Sequence, residues 1–290
     1  LKLRLLCKKH ENMAISPDEL HSLLPGQETG PRMPVIFFGH GSPMNAIEDN
    51  VFSETWSLLG KSLPRPEAIL SISAHWETNG MFVTAMERPR TIHDFGGFPR
   101  ELYEVRYPAP GSPGFAASAR EAVRSRAVLP DHDWGLDHGT WSILRRLFPA
   151  ADVPVFQLSL DMTMTPEDHY LTGKELSALR DKGILIMGSG NIVHNLRELA
   201  WNKLDEPGFG YDWALEADEQ VRKWIMAGDH KALVNFRSGG KAFDLAIPTA
   251  EHFLPLLYFL GASGSNESLE FFNGQAVAGS LTMTSVRTRD

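Results

Sequence analysis

Pro34-Val35-Ile36-Phe37-Phe38-Gly39-His40-Gly41-Ser42-Pro43 is the stretch whose reading decides the fold. Five residues of nearly unbroken apolar character run into a Gly-His-Gly-Ser-Pro turn, as a strand buried on both faces does when it leaves a sheet. Working outward, Phe52, Trp56, Leu59 and Leu63 repeat at i, i+4, i+7 and i+11, the stripe of an amphipathic helix. A second apolar run, AILSISA (68–74), follows and ends at His75-Trp76. Strand, helix and strand over this length make a βαβ unit.

The same alternation continues. VPVFQLSL (153–160) and GILIMGSG (183–190) read as strands, and Thr165-Pro166-Glu167-Asp168 between them reads as a helix start. Thr caps, Pro takes the first helical position, and the acids favour the positive end of the helix dipole. Trp213, Ala217, Val221, Trp224 and Ile225 form another helical stripe, and SLTMTSV (280–286) alternates like a strand returning to the sheet. No repeat or low-complexity linker divides the chain. The expectation is a single α/β domain over residues 34–290, a central mixed sheet flanked by helices. Residues 1–33 are expected to be a peripheral N-terminal extension, with Met13 or Met33 a natural start. Arg88 to Gly114 fits neither period, yet Phe95, Phe98, Tyr103 and Tyr107 make it too apolar for a linker. It is expected to be an ordered loop packed over something.

Composition narrows the chemistry. The formal charge is −8, and no Lys/Arg run interrupts the body of the chain, which speaks against nucleic acid or an anionic membrane as partner. No stretch approaches the ~20 apolar residues of a membrane span. The one cysteine, Cys7, excludes an internal disulfide and a cysteine-ligated metal in the domain, and suits a cytoplasmic location. Any metal must rely on the eleven histidines and the carboxylates.

Five histidines stand where α/β proteins build sites. His40 and His75 follow predicted strands, and His194 follows the strand ending at Gly190 through Asn191-Ile192-Val193. His138 precedes the helical run TWSILRRLF, and His252 precedes FLPLLYFLG. If the strands before His40, His75 and His194 are parallel neighbours, their imidazoles converge in one crevice as metal ligands. A lone strand-end histidine is more often a hydrogen-bonded core or surface residue; three together shift the balance. His132, His169 and His230 lie among charges and are expected to be solvated. His93, in the aromatic loop, is expected to contact substrate, with a loop hydrogen bond as the alternative. GSGNIVHN lacks the third glycine and the lysine of phosphate loops, and GHGSP lacks the hydrolase elbow.

Seven ordered strings, GHGSPM (39–44), SAHW (73–76), TIHDFGGFP (91–99), YPAPGSP (107–113), GLDHGTW (135–141), GSGNIVHNLR (188–197) and EHFLPLLY (251–258), resemble the DOPA 4,5-dioxygenase family of class III, LigB-type extradiol ring-cleavage dioxygenases. The resemblance runs from about Pro34 onward. It implies the LigB-type fold and one mononuclear divalent metal, non-haem Fe(II) for activity with Zn(II) as a possible occupant. It implies O2 and a small aromatic diol such as L-DOPA as substrates. The metal would be held by His40 and His75, with His252 and His194 completing or flanking the site. His138, and His194 where it is not a ligand, would move protons. The wider class uses a glutamate as third ligand, which sets Glu251 against its neighbour His252; the family motif favours His252. Two other functions fit the same histidines: a zinc-dependent hydrolase, and a class III-like binding protein without catalysis.

Overall fold

The computed structural model describes residues 32–204, 206 and 208–289. The expected extension therefore lies outside the described residues except for Arg32 and Met33. Met33 is buried, and its N–H donates to the Arg180 carbonyl at 3.1 Å.

Ten strands are described: β1 (Val35–Gly39), β2 (Ala68–Thr78), β3 (Met81–Thr84), β4 (Val128–Asp131), β5 (Val155–Asp161), β6 (Ile184–Gly190), β7 (Ser268–Phe272), β8 (Ala276–Val277), β9 (Leu281–Thr282) and β10 (Ser285–Arg289). Eight form one sheet in the order β4-β3-β5-β2-β6-β1-β10-β7, and β8 with β9 makes a separate ribbon. The centre β5-β2-β6-β1 is parallel, whereas β10 lies antiparallel to β1 and to β7. The sheet is mixed, as the sequence predicts.

The helices are α1 (Val51–Ser62), α2 (Arg100–Tyr103), α3 (Pro113–Ala122), α4 (His138–Leu147), α5 (Pro166–Leu176), α6 (Asp212–Ala227), α7 (His230–Val234), α8 (Lys241–Ala246) and α9 (Leu254–Ala262). Alternate residues of the central strands point to opposite faces. Val35, Phe37, Leu70 and Ile186 join a core with Leu176 of α5, Ala217 and Val221 of α6, and Leu257 of α9. Ile36, Phe38, Ile69 and Leu185 join a second core with Trp56 and Leu59 of α1 and Trp141 and Leu144 of α4. Two covered faces explain why these strands read as continuous apolar runs. Each fully buried Leu, Ile or Phe contributes about 1.5–3 kcal/mol.

Local rules set the helix starts. Asn50 caps α1 and Thr165 caps α5, each in a reciprocal capping box, with Pro166 at the first position of α5. The segment from Arg88 to Gly114 is irregular apart from α2 and the start of α3, and it buries Leu102, Val105 and Tyr107. No helix among the described residues is long and apolar enough to cross a membrane.

Two expectations about the sheet need correction. His75 does not follow β2 but lies within it, where the register against β5 jumps from Ile72 opposite Leu158 to Glu77 opposite Leu160. The surplus residues of β2 bulge there, and a bulge re-aims side chains. The alternating segment 280–286 is not one strand. It breaks at Met283-Thr284 into β9 and the beginning of β10, because Thr282 N–H donates to the Val193 carbonyl and Met283 N–H to the Gln275 carbonyl. Both lead the chain away from the sheet.

Candidate metal centre

Because β2, β6 and β1 are adjacent and parallel, His75 near the end of β2, His40 after β1 and the loop after β6 emerge at one edge. The His40 N–H donates to the Gly190 carbonyl at 2.9 Å, and its carbonyl accepts from the Asn45 amide at 3.1 Å. The residue is 2% exposed. His40 Nδ1 lies 2.9 Å from Ser189 Oγ, and that hydroxyl donates its one proton to the Gly139 carbonyl at 2.6 Å. Nδ1 must therefore be the donor to Oγ, which leaves His40 Nε2 as a bare lone pair.

His252 is fixed the same way. The Glu251 carboxylate accepts from Thr249 Oγ1 at 2.8 Å and from His252 Nδ1 at 3.0 Å. His252 Nε2 is fully buried and has no hydrogen-bond partner among the described residues. A buried, unpartnered nitrogen costs stability unless something binds it. Glu251 thus turns to the outer nitrogen of His252 and orients it, as outer partners of ligating histidines do.

His75 presents Nδ1 at 3.4 Å from Asp94 Oδ2 and Nε2 at 3.2 Å from His40 Nε2. Ring centroids of His40, His75 and His252 form a near-equilateral triangle, with sides of 5.0, 5.3 and 5.1 Å. Two nitrogens sharing one ion at ~2.0–2.1 Å sit roughly 2.8–3.4 Å apart across cis-octahedral and tetrahedral geometry. The 3.2 Å separation falls inside that range. The donor set fits a divalent ion that accepts imidazole nitrogen.

His194 stands apart. Its ring stacks on His252 with centroids 3.5 Å apart and planes 7° from parallel. A lone pair lies in its ring plane, so an ion ~2 Å from one ring nitrogen lies well off the plane of the other. In this arrangement the two rings cannot both ligate one ion, and His194 flanks the centre. By distance alone two groups bring ligand atoms within 4.8 Å of one another, His40, His75 and His138, and His194, Glu251 and His252, but the stacking keeps His194 and His252 from sharing one ion.

His138 is the first residue of α4, which Asp137 caps. Its Nδ1 lies 3.0 Å from Asp94 Oδ2, and its backbone N–H donates to Asp94 Oδ1 at 2.9 Å. Its ring packs against His75 at 3.9 Å between centroids, and Phe95 meets it edge-on at 5.5 Å. Beneath, buried Asp137 accepts from Ser73 Oγ at 2.7 Å and Gln157 Nε2 at 2.6 Å. Gly139 fits because a Cβ there would lie 2.6 Å from Ser73 Oγ and 2.8 Å from His75 Cδ2.

The environment keeps the rings of His40, His75, His194 and His252 neutral, the form that ligates metal. Burial, then His75, holds His40 well below the ordinary histidine range; burial, then His194, does so for His252. Burial and the neighbouring His138 lower His75 to about 3, against the pull of Asp94. Burial lowers His194 to about 4, with Glu251 opposing. Asp94 would be raised by burial, but its contacts with His138 and His75 bring it below the usual carboxylate range. Asp137 is raised by burial and by Asp94.

All five strand-end and helix-start histidines named from the sequence are brought together. His93 is not shown in the role expected of it. Its Nε2 donates to the Val105 carbonyl at 3.0 Å, and its ring packs near Phe95, Tyr103 and Trp141. The residues of that loop that reach the site are Asp94, which bonds His138, and Phe95, which packs on its ring. Sequence reasoning missed Asp94, Ser189 and the orienting role of Glu251; the only signal was their adjacency to the histidine and glycine strings.

Comparison with known proteins identifies the family. The family described as the catalytic LigB subunit of aromatic ring-opening dioxygenase matches residues 35–284. A 4,5-DOPA dioxygenase extradiol of Escherichia coli is 47% identical over 262 residues, covering 88% of this chain and 94% of the relative. One of Beta vulgaris is 35% identical, covering 87% and 95% respectively. The crystal structure of an uncharacterized E. coli protein superposes with a TM-score of 0.75 at 40% identity, over 88% of this chain and 99% of that one. The chain belongs to the LigB family of ring-opening dioxygenases, metal-dependent oxidoreductases that act on small aromatic compounds with O2.

Proposed function

We propose that the protein is an extradiol dioxygenase that opens catechol rings, with L-DOPA cleaved between carbons 4 and 5 as the first substrate to test. The observation that supports it most is the clustering of three imidazoles. His40 Nε2 lies 3.2 Å from His75 Nε2, and the His252 ring, whose buried Nε2 has no partner among the described residues, lies 5.3 and 5.1 Å from the rings of His40 and His75. These three would hold one ion, Fe(II) in the active protein. When bound, Fe(II) would supply a Lewis acid for the diol and a redox couple for dioxygen; zinc would fit the same nitrogens but has no accessible redox couple.

The chain's own residues then handle protons and position. His138, held by Asp94, accepts a proton from a catechol hydroxyl as the diol binds and returns it later to a departing oxygen. His194, neutral and stacked on His252, lies beside the centre as the second proton-handling group. Phe95 meets the His138 ring edge-on, with Phe98 and Tyr103 packed against it. The name 4,5-DOPA dioxygenase extradiol borne by the relatives supports the substrate and the cleavage position. A reducing, cytoplasmic setting would keep iron ferrous.

The test is anaerobic reconstitution with Fe(II), addition of L-DOPA, and admission of air while the visible spectrum and oxygen uptake are followed. A yellow product and oxygen consumption that need iron, and that zinc does not support, are expected. Protein shown to hold one iron that consumes no oxygen with L-DOPA or simpler catechols would reject the reading.

A further inference from the structure

Asp94 is the one residue of the irregular 88–114 segment whose side chain touches two histidines of the centre. Its Oδ1 accepts the His138 backbone N–H at 2.9 Å, and its Oδ2 lies 3.0 Å from His138 Nδ1 and 3.4 Å from His75 Nδ1. Both oxygens thus face donors of a single residue. The backbone N–H can only donate, so Oδ1 is committed. The second oxygen of an ionised carboxylate can only accept, so His138 Nδ1 carries its proton. No hydrogen bond engages His138 Nε2 among the described residues.

The loop that carries Asp94 is itself tied down. The Ile92 N–H donates to the Leu136 carbonyl at 2.7 Å, and the Leu136 N–H to the Arg90 carbonyl at 2.8 Å. Trp141 Nε1, from α4, donates to the Ile92 carbonyl at 2.7 Å. His93 ties the other side of the loop to Val105. Gly135 permits the close approach, since a Cβ there would lie 2.4 Å from the Arg90 carbonyl oxygen.

We infer that Asp94 is a positioning residue that locks His138 in the Nδ1–H tautomer, turning Nε2 into the proton acceptor, and joins that base to the ligand His75. The inference rests on the reading of His138 as the proton-transfer group. In the step concerned, the catechol O–H bond breaks, the proton passes to His138 Nε2, and the electron pair stays on the catechol oxygen. The carboxylate balances the imidazolium that results. No electron is gained or lost in this step.

Asp94→Asn separates the roles, because an amide has one acceptor oxygen for two donors. If that oxygen keeps the backbone N–H of His138, the amide N–H2 faces Nδ1 and forces the Nε2–H tautomer. The tautomer is read by long-range 1H–15N correlation on full-length, zinc-loaded protein labelled at histidine, with His138 assigned by its loss in His138→Gln. Nδ1–H in the wild type and Nε2–H in Asp94→Asn are expected. In Fe(II)-loaded protein the same variant should keep its metal stoichiometry and KM within about threefold while kcat falls ~10²-fold or more. His138 found as Nε2–H in the wild type overturns the inference without any variant. An unchanged tautomer and turnover in Asp94→Asn also overturns it. Should iron-loaded wild type open no catechol, the proposed function falls, and the tautomer still decides for or against Asp94.

Discussion

At the scale of the residue, the ligand triangle and the stacked pair make separable demands. His40→Ala, His75→Ala and His252→Ala should each abolish stoichiometric metal binding, measured as metal per chain after dialysis. His194→Phe keeps the stacked, flat shape and should retain one metal while turnover falls ~10²-fold or more. Loss of the metal in His194→Phe would move that ring into the ligand set. The histidines themselves were legible, because a polar residue just past an apolar run marks the open edge of a parallel sheet. Their partners were not. Asp94 lies 44 residues from His138 in sequence and bears no spacing signature. His169 shows the opposite error: its neighbours Glu167 and Asp168 suggested a solvated helix start, yet it occupies the inner face of α5, buried, with Nδ1 3.0 Å from the Tyr258 hydroxyl. Charged neighbours report one face of a helix and say nothing of the other.

At the scale of the element, the centre depends on how closely the turn before α9 approaches β6. A Cβ on Gly190 would lie 2.1 Å from the His252 carbonyl oxygen, which also accepts the Asn191 N–H at 2.9 Å. Gly190→Ala should therefore push the His252 turn outward. A loss of about 1–3 kcal/mol in urea unfolding is expected, as for overpacking generally, together with weakened metal binding. Normal affinity in a stably folded Gly190→Ala protein would contradict the seam described here. Elements were readable where one local rule dominates, as at Thr165-Pro166, where cap, proline and acids agree. They were not where contacts remote in sequence decide. Residues 280–286 alternate like one strand, but a Cβ on Gly39 would lie 2.6 Å from the Met283 carbonyl, and Asn191 and Val193 draw Thr282 toward the loop after β6. Periodicity alone could not reveal that break, nor the bulge that keeps His75 inside β2.

At the scale of the whole molecule, the sheet's mixed character and single-domain layout were readable from strand-and-helix alternation, whereas the strand order was not, since pairing partners leave no local mark. Acid sensitivity is a property of the whole fold too. Burial lowers His169 to about 4 from an ordinary 6.5. Above pH 6.5 the ring is neutral whether the chain is folded or unfolded. As pH falls from 6.5 toward 4 only the unfolded chain takes up this proton, so stability declines; below 4 both forms are protonated and the loss is complete. His169→Gln should flatten the dependence of urea-unfolding free energy on pH across that window relative to wild type, and an unchanged slope would show that His169 does not contribute. The position of β1 carries one more consequence. This strand, made of residues 35–39, lies between β6 and β10, and β10 is made of residues 285–289. During synthesis β1 leaves the ribosome long before its outer neighbour exists, and His40 likewise waits for His252. Long-range pairing of this kind closes late. A nascent chain can thus present only scattered imidazoles, and metal acquisition becomes a mark of a finished polypeptide.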